Sequence, residues 1–144
     1  MTGLVLTSGA GTANAGPQHH GTYPQSAPGG NGCAIGAQHI ANRPLQNDYG
    51  QVPGNVEVYY SPSCQTNWLQ VTNPVGGASR KHIKSDGMPD IGEEYDQPTW
   101  QMTYTKQVYA PGSTCISLRV RLYYPDGRLY GQTYSAGSNF LRIC

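Results

Sequence analysis

Ile116-Ser117-Leu118-Arg119-Val120-Arg121-Leu122-Tyr123-Tyr124, followed at once by Pro125-Asp126-Gly127, decides the fold class. Leu118, Val120 and Leu122 alternate with Ser117, Arg119 and Arg121, the period of two that gives a strand one buried and one solvated face. Pro-Asp-Gly then supplies a preset φ, a side-chain oxygen for local hydrogen bonding and a residue tolerant of positive φ, so the chain reverses. Residues 129–134 return as the second strand of a hairpin.

The alternation recurs outward from this hairpin. Downstream of Gly137, residues 139–144 read as a last strand. Upstream, Trp100, Met102, Tyr104, Lys106 and Val108 alternate against Gln101, Thr103, Thr105 and Tyr109, which predicts one half-buried strand. Residues 55–60 put Val56, Val58 and Tyr60 on one face and Glu57 and Tyr59 on the other. Ser61-Pro62-Ser63 turns the chain into Cys64, and residues 66–72 offer a strand carrying Trp68, Leu69 and Val71. Residues 33–42 read as a short helix or an irregular strand bounded by Pro44, because the residue before proline avoids the helical region. The stretch 76–97 carries Arg80, Lys81 and Lys84 followed by Asp86, Asp90, Glu93, Glu94 and Asp96, and reads as a long surface loop. With no helical periodicity of useful length, the expected fold is all-β: a small antiparallel sandwich or barrel.

A chain of 144 residues is one domain's worth of polypeptide. Val, Ile, Leu and Phe occupy only 23 positions, too few for an ordinary aliphatic core. Disorder is excluded by the net charge of +1 and by 11 Tyr and 2 Trp, which offer large surfaces to bury. The same weak charge argues against nucleic acid as a partner, since phosphate binding needs a concentrated basic face. No apolar run approaches the roughly 18 residues of a membrane helix, so no membrane partner is expected.

Cys33, Cys64, Cys115 and Cys144 are widely spaced and lack the C-x-x-C pairs of zinc or thiol-redox sites. An even count at long spacing reads as two disulfides formed in an oxidising compartment. Three pairings are open. Cys33 with Cys64 and Cys115 with Cys144 is the favoured one, because each bridge then closes a loop of about 30 residues around a separate sheet region, contributing roughly 3–4 kcal/mol on the chain-entropy view. Two such staples stand in for the missing aliphatic core.

Two segments precede the domain, which is expected to span residues 33–144. Residues 1–15 are small and apolar and end in Ala13-Asn14-Ala15 before Gly16, an A-x-A processing pattern. They lack a basic start, and their apolar core is only Leu4-Val5-Leu6, so they read as the tail of a longer signal or as a flexible leader. Residues 16–32 are rich in Gly and Pro and contain no Val, Ile or Leu, which predicts an extended, flexible N-terminal arm unable to order on itself.

Val56-Glu57-Val58-Tyr59-Tyr60-Ser61-Pro62-Ser63-Cys64-Gln65-Thr66-Asn67-Trp68 resembles the YjfA-like family of small exported bacterial proteins, common in actinobacteria. Their pattern is a hydrophobic strand, Tyr-Ser-Pro, Cys, Thr and Trp, with another Cys some thirty residues earlier, the place of Cys33. The resemblance covers Cys33 to about Val71. Tyr59 stands where the family often has an Arg, and Leu69-Gln70 replaces its usual Ala-Arg. The resemblance implies secretion and a structural Cys33–Cys64 bridge, and it implies no activity.

Candidate chemistry is sparse. His19, His20, His39 and His82 are possible metal ligands by type, yet adjacent histidines in a Gly/Pro segment seldom converge on one ion. Asp86, Asp90, Glu93, Glu94 and Asp96 offer oxygens without the spacing of a calcium loop. Serines abound with no G-x-S-x-G elbow. No metal, cofactor or catalytic residue is assigned, and no enzyme is expected. Tyrosines are the remaining signal. Tyr59, Tyr104, Tyr123, Tyr124, Tyr130 and Tyr134, with Trp68 and Trp100, outnumber what so small a core can enclose. Either Tyr replaces Phe and Leu inside, or an aromatic face with Arg119 and Arg121 binds protein or glycan. The candidate partner-binding residues are Tyr23, Tyr59, Trp68, Tyr104, Arg119 and Arg121. The expected function is a secreted, non-catalytic binding or adapter module for an extracellular protein, as a small subunit of a toxin-like assembly. The alternatives are a small hydrolase or stand-alone toxin, and a cell-wall or glycan binder.

Overall fold

The computed structural model describes residues 16–27, 29–133 and 140–144. The leader reading of residues 1–15, Tyr134, Gly137 and the start of the last strand at Asn139 lie outside them. The strands are β1 (Gln38–Leu45), β2 (Gly54–Ser61), β3 (Thr66–Thr72), β4 (Ser79–Ser85), β5 (Glu94–Asp96), β6 (Met102–Tyr104), β7 (Val108–Tyr109), β8 (Ile116–Tyr123), β9 (Leu129–Gln132) and β10 (Leu141–Ile143). Among the described residues they form two antiparallel sheets of five strands. One runs β1-β2-β3-β6 with β7 also on β3, and the other runs β9-β8-β4-β5 with β10 also on β8.

The architecture is the expected all-β sandwich. Leu118, Val120 and Leu122 of β8 point inward and are closed to solvent, and they meet Val56, Val58, Leu69 and Val71 of the facing sheet in one core. The hairpin turns through Pro125-Asp126-Gly127, with the Gly127 N–H donating to the Tyr124 carbonyl (2.9 Å) and the Tyr124 N–H to the Arg128 carbonyl (2.8 Å). Disulfides join Cys33 to Cys64 and Cys115 to Cys144, with Cα–Cα distances of 5.5 and 4.0 Å. The first ties the chain entering β1 to the β2–β3 turn. The second ties the start of β8 to the end of β10.

Four expectations are corrected. The stretch 76–97 is not one long surface loop: β4 is an inner strand paired with both β8 and β5, and residues 86–93 form the loop between β4 and β5. Ser79, Lys81, Ile83 and Ser85 face the core while Arg80, His82 and Lys84 face outward. Lys81 occupies an inward position because its stem packs as an apolar chain and its ammonium is neutralised there by Asp96.

Residues 100–109 form two short strands, not one. Tyr104 pairs with Gln70 and Val108 with Asn67, so three residues, 105–107, oppose two on β3. This bulge reverses the alternation. Met102 and Tyr104 point outward, whereas Val108 enters the core. Thr105 compensates the broken ladder, its Oγ1 accepting the Leu69 N–H at 3.1 Å. Of the two readings of residues 33–42, the irregular strand holds from Gln38 on, where β1 begins and its register shifts between His39 and Ala41; a turn precedes it, with no helix. Pro44 does not bound that strand but lies within it, opposite Asn55, which is tolerated because β1 is the sheet edge.

Residues 16–32 are not a free, flexible arm. Gly21 N–H donates to the Gln107 carbonyl and Gln107 N–H to the Thr22 carbonyl, both at 2.8 Å. His20 Nδ1 accepts the Tyr109 N–H (3.1 Å), which sets the Nε2–H tautomer that donates to the Pro89 carbonyl (2.8 Å). The segment also closes on itself. Asn31 Oδ1 accepts from the N–H groups of Gln25 and Cys33, Asn31 Nδ2 donates to the Tyr23 carbonyl, and the Asn31 N–H donates to Gln25 Oε1. Polar amides supply the order that aliphatic side chains could not.

Candidate functional site

Outward positions on the β1-β2-β3-β6 sheet collect the aromatic candidates. Tyr59 on β2 pairs across the strands with Trp68 on β3, their rings stacked 6.1 Å apart at 11°. His39 on β1 leans on Tyr59 at 5.4 Å. Two residues along β3, Gln70 pairs with Tyr104 of β6, and Tyr23 from the N-terminal segment meets the Tyr104 ring edge-on at 6.0 Å.

Between this face and the N-terminal segment lies an open groove of about 640 Å³. Its floor is Trp68, Gln70 and Tyr104, and its far wall is residues 24–27 with Gly29 and Gly30, with Ala34 at one end. Trp68 is 2% exposed, so it shapes the floor; Tyr104 is 40% exposed and offers the open ring. The wall is held by the Gln25–Asn31 amide exchange and by Tyr23.

Tyr23 anchors the groove electrostatically. Its hydroxyl donates to Glu94 Oε1 at 2.7 Å, and Glu94 Oε2 accepts the Lys106 N–H at 2.7 Å. That hydrogen bond first, then burial and the negative charges of Glu94 and Asp96, push the Tyr23 phenol up to about 12. Burial, followed by its hydrogen bond to Glu57 (3.1 Å), raises the Tyr59 phenol as well.

Arg119 and Arg121 do not join the aromatic face. They project from β8 on the outer side of the opposite sheet, where Glu93 Oε2 accepts from both at 3.3 and 3.2 Å and Glu93 Oε1 pairs with Arg80 at 3.3 Å. Burial raises the Glu93 carboxyl, but hydrogen bonds and charge from Arg121, Arg80 and Arg119 outweigh it and hold the group below its usual range. The tyrosines also divide. Tyr124 and Tyr130 meet edge-on at 5.4 Å in a separate cluster with Tyr49, Pro53 and Arg128.

The polar candidates disperse onto structural partners. His82 pairs with Asp90 at 2.7 Å, and that hydrogen bond, with one from the Gly92 N–H, lowers the Asp90 carboxyl. Asp86 pairs with Arg142, Asp126 with Arg128, and His39 with Asn42. His19 lies beside Cys33 and Cys64, whose sulfurs are tied in the bridge. Sequence reasoning missed Gln70 and the wall of residues 24–27, Gly29 and Gly30. Gln70 was legible through the register it shares with Trp68 on one face of β3; the wall depends on contacts between residues far apart in the chain.

No family model, curated protein or solved structure matches the chain. Among the described residues no helix is long and apolar enough to cross a membrane, and two disulfides are compatible with an extracellular protein.

Proposed function

We propose that the chain is a secreted, non-catalytic binding or adapter module that takes an extended segment of an extracellular protein in the groove over Trp68, Gln70 and Tyr104, as a small subunit of a toxin-like assembly. One observation carries this reading: an open aromatic ring, a side-chain amide and a wall of main chain face one another across a single groove. An extended peptide uses each of these, stacking on the ring, bonding the amide and lying along the wall. The wall is braced before binding, which lowers the ordering cost of association. The non-catalytic reading rests on the engagement of histidines and carboxylates with separate structural partners. Kinship with the YjfA-like proteins, which the Tyr-Ser-Pro-x-Cys-x-Thr-x-Trp string suggests, belongs to the same proposal.

Tyr104→Ala and Gln70→Ala are expected to weaken co-purification with the partner from culture supernatant by about tenfold or more at an unchanged melting temperature. Tyr124→Ala, in the other tyrosine cluster, leaves it unchanged. Equal capture by the Tyr104→Ala protein contradicts the assignment. A second reading, a glycan ligand, is favoured by the exposed Tyr104 ring beside an amide, and soluble oligosaccharides competing for the groove would select it.

A further inference from the structure

The largest fully buried side chain among the described residues is that of a lysine. Lys81 Nζ sits 2.6 Å from Asp96 Oδ2 and donates to Thr103 Oγ1 of the facing sheet at 2.8 Å. Its register partners are Val120 on β8 and Glu94 on β5. Both Glu94 oxygens are engaged, one by the Tyr23 hydroxyl and the other by the Lys106 N–H, which leaves Asp96 as the carboxylate for Lys81. Ser79, directly opposite Asp96, donates its hydroxyl to the same Oδ2 at 3.0 Å.

We propose that Lys81 and Asp96 condense after folding to an amide between Nζ and Cγ, a third covalent staple joining β4 to β5. The Lys81 ammonium is closed to solvent while the Asp96 side chain is 29% exposed, and attack by Nζ requires one proton to pass to the carboxylate along their 2.6 Å contact. The amine is held 2.6 Å from an oxygen of the carboxyl group it attacks, so the reaction is intramolecular between positioned groups. The Nζ lone pair forms the bond to Cγ while the proton passes to Oδ2, and the bond from Cγ to Oδ2 breaks, the Ser79 hydroxyl donating to the oxygen that leaves. Two of the three ammonium protons leave with that oxygen as water and the third stays on the amide nitrogen, so no outside reagent is needed. Thr103 aims the amine.

Intact mass spectrometry of the folded, full-length chain with its disulfides reduced tests this. The expected mass is lower by one water. A Glu-specific protease, cutting after Glu93 and Glu94, then yields the peptide carrying Lys81 still joined to the peptide carrying Asp96; trypsin is unsuitable because a missed cut after Lys84 has the same mass as the cross-link. Lys81→Met restores the full mass. Should that variant fail to fold, the wild-type digest decides alone. An undiminished wild-type mass, with Lys81 and Asp96 on separate peptides, overturns the proposal. So does a lost water mapped to Asp86-Gly87 or Asp126-Gly127, where succinimide formation removes the same mass.

Discussion

Gly77 occupies a place with no room for a methyl group: a Cβ there would lie 1.8 Å from the Tyr123 carbonyl oxygen. Here the chain crosses from one sheet to the other beneath the end of β8, and buried Asn73 wires the crossing by donating to the Ala78 and Tyr123 carbonyls at 3.1 and 2.8 Å. Because the obstacle is backbone, Gly77→Ala is expected to cost about 3 kcal/mol or more, read by chemical denaturation. Gln107 is the other decisive residue. Fully buried, it accepts from the Thr66 hydroxyl at 2.6 Å and donates to Thr22 Oγ1 at 3.1 Å, linking the domain to the N-terminal segment. Gln107→Ala should cost about 1–3 kcal/mol, since it strands the Thr66 hydroxyl in the interior. Neither role is written in the local sequence. Lys81 teaches the same lesson: a charged residue in a charged run reads as surface, and only the strand register turns its stem inward. Conversely, Val56, Val58, Leu118, Val120 and Leu122 were legible because alternation alone assigns their face.

At the scale of the element, the N-terminal segment behaves as part of the domain. Its bonds to Gln107, Tyr109 and Pro89, with the Tyr23–Glu94 pair, span elements of both sheets. Deleting residues 16–27 removes at least four hydrogen bonds, each worth about 1 kcal/mol net, so the melting temperature should fall by roughly 10 °C. An unchanged melt would mean that the segment is only tethered. Tyr23 gives a pH signature for the same docking. Its folded pKa, about 12, lies above the ordinary phenol value, so the Tyr23 contribution is complete below pH about 10 and is lost as pH rises through about 12. Alkaline unfolding of the Tyr23→Phe protein should lack that component, which a pH series of denaturation curves would reveal. Composition could not foretell this docking, because Gly and Pro set the chain's freedom without naming the polar partners that remove it. The bulge at residues 105–107 was hidden for a related reason: one extra residue reverses a face without disturbing the alternation on either side of it.

At the scale of the whole molecule, a sandwich with a thin aliphatic core is closed by two disulfides, the pairing of buried Lys81 with Asp96, and outer-face charge clusters. The lowered carboxyls of Glu93 and Asp90 favour the folded state above the ordinary carboxylate pKa of about 4, and this support is lost as pH falls below it. Stability should therefore decline in acid, and less steeply for Glu93→Gln, as denaturant midpoints between neutral and acid pH would record. The cysteine pairing was legible from spacing, as was the sandwich from its hairpins; the gathering of Tyr23, Tyr59, Trp68 and Tyr104 apart from Arg119 and Arg121 was not, because composition counts aromatics without assigning them to a sheet. The central claim is that a partner sits in the groove over Trp68, Gln70 and Tyr104. A photoreactive phenylalanine analogue placed at position 104, and separately at position 124, in the protein exposed to its native culture medium tests it most directly: the account predicts a discrete cross-linked partner from position 104 and none from position 124, and cross-linking from position 124 alone would contradict it.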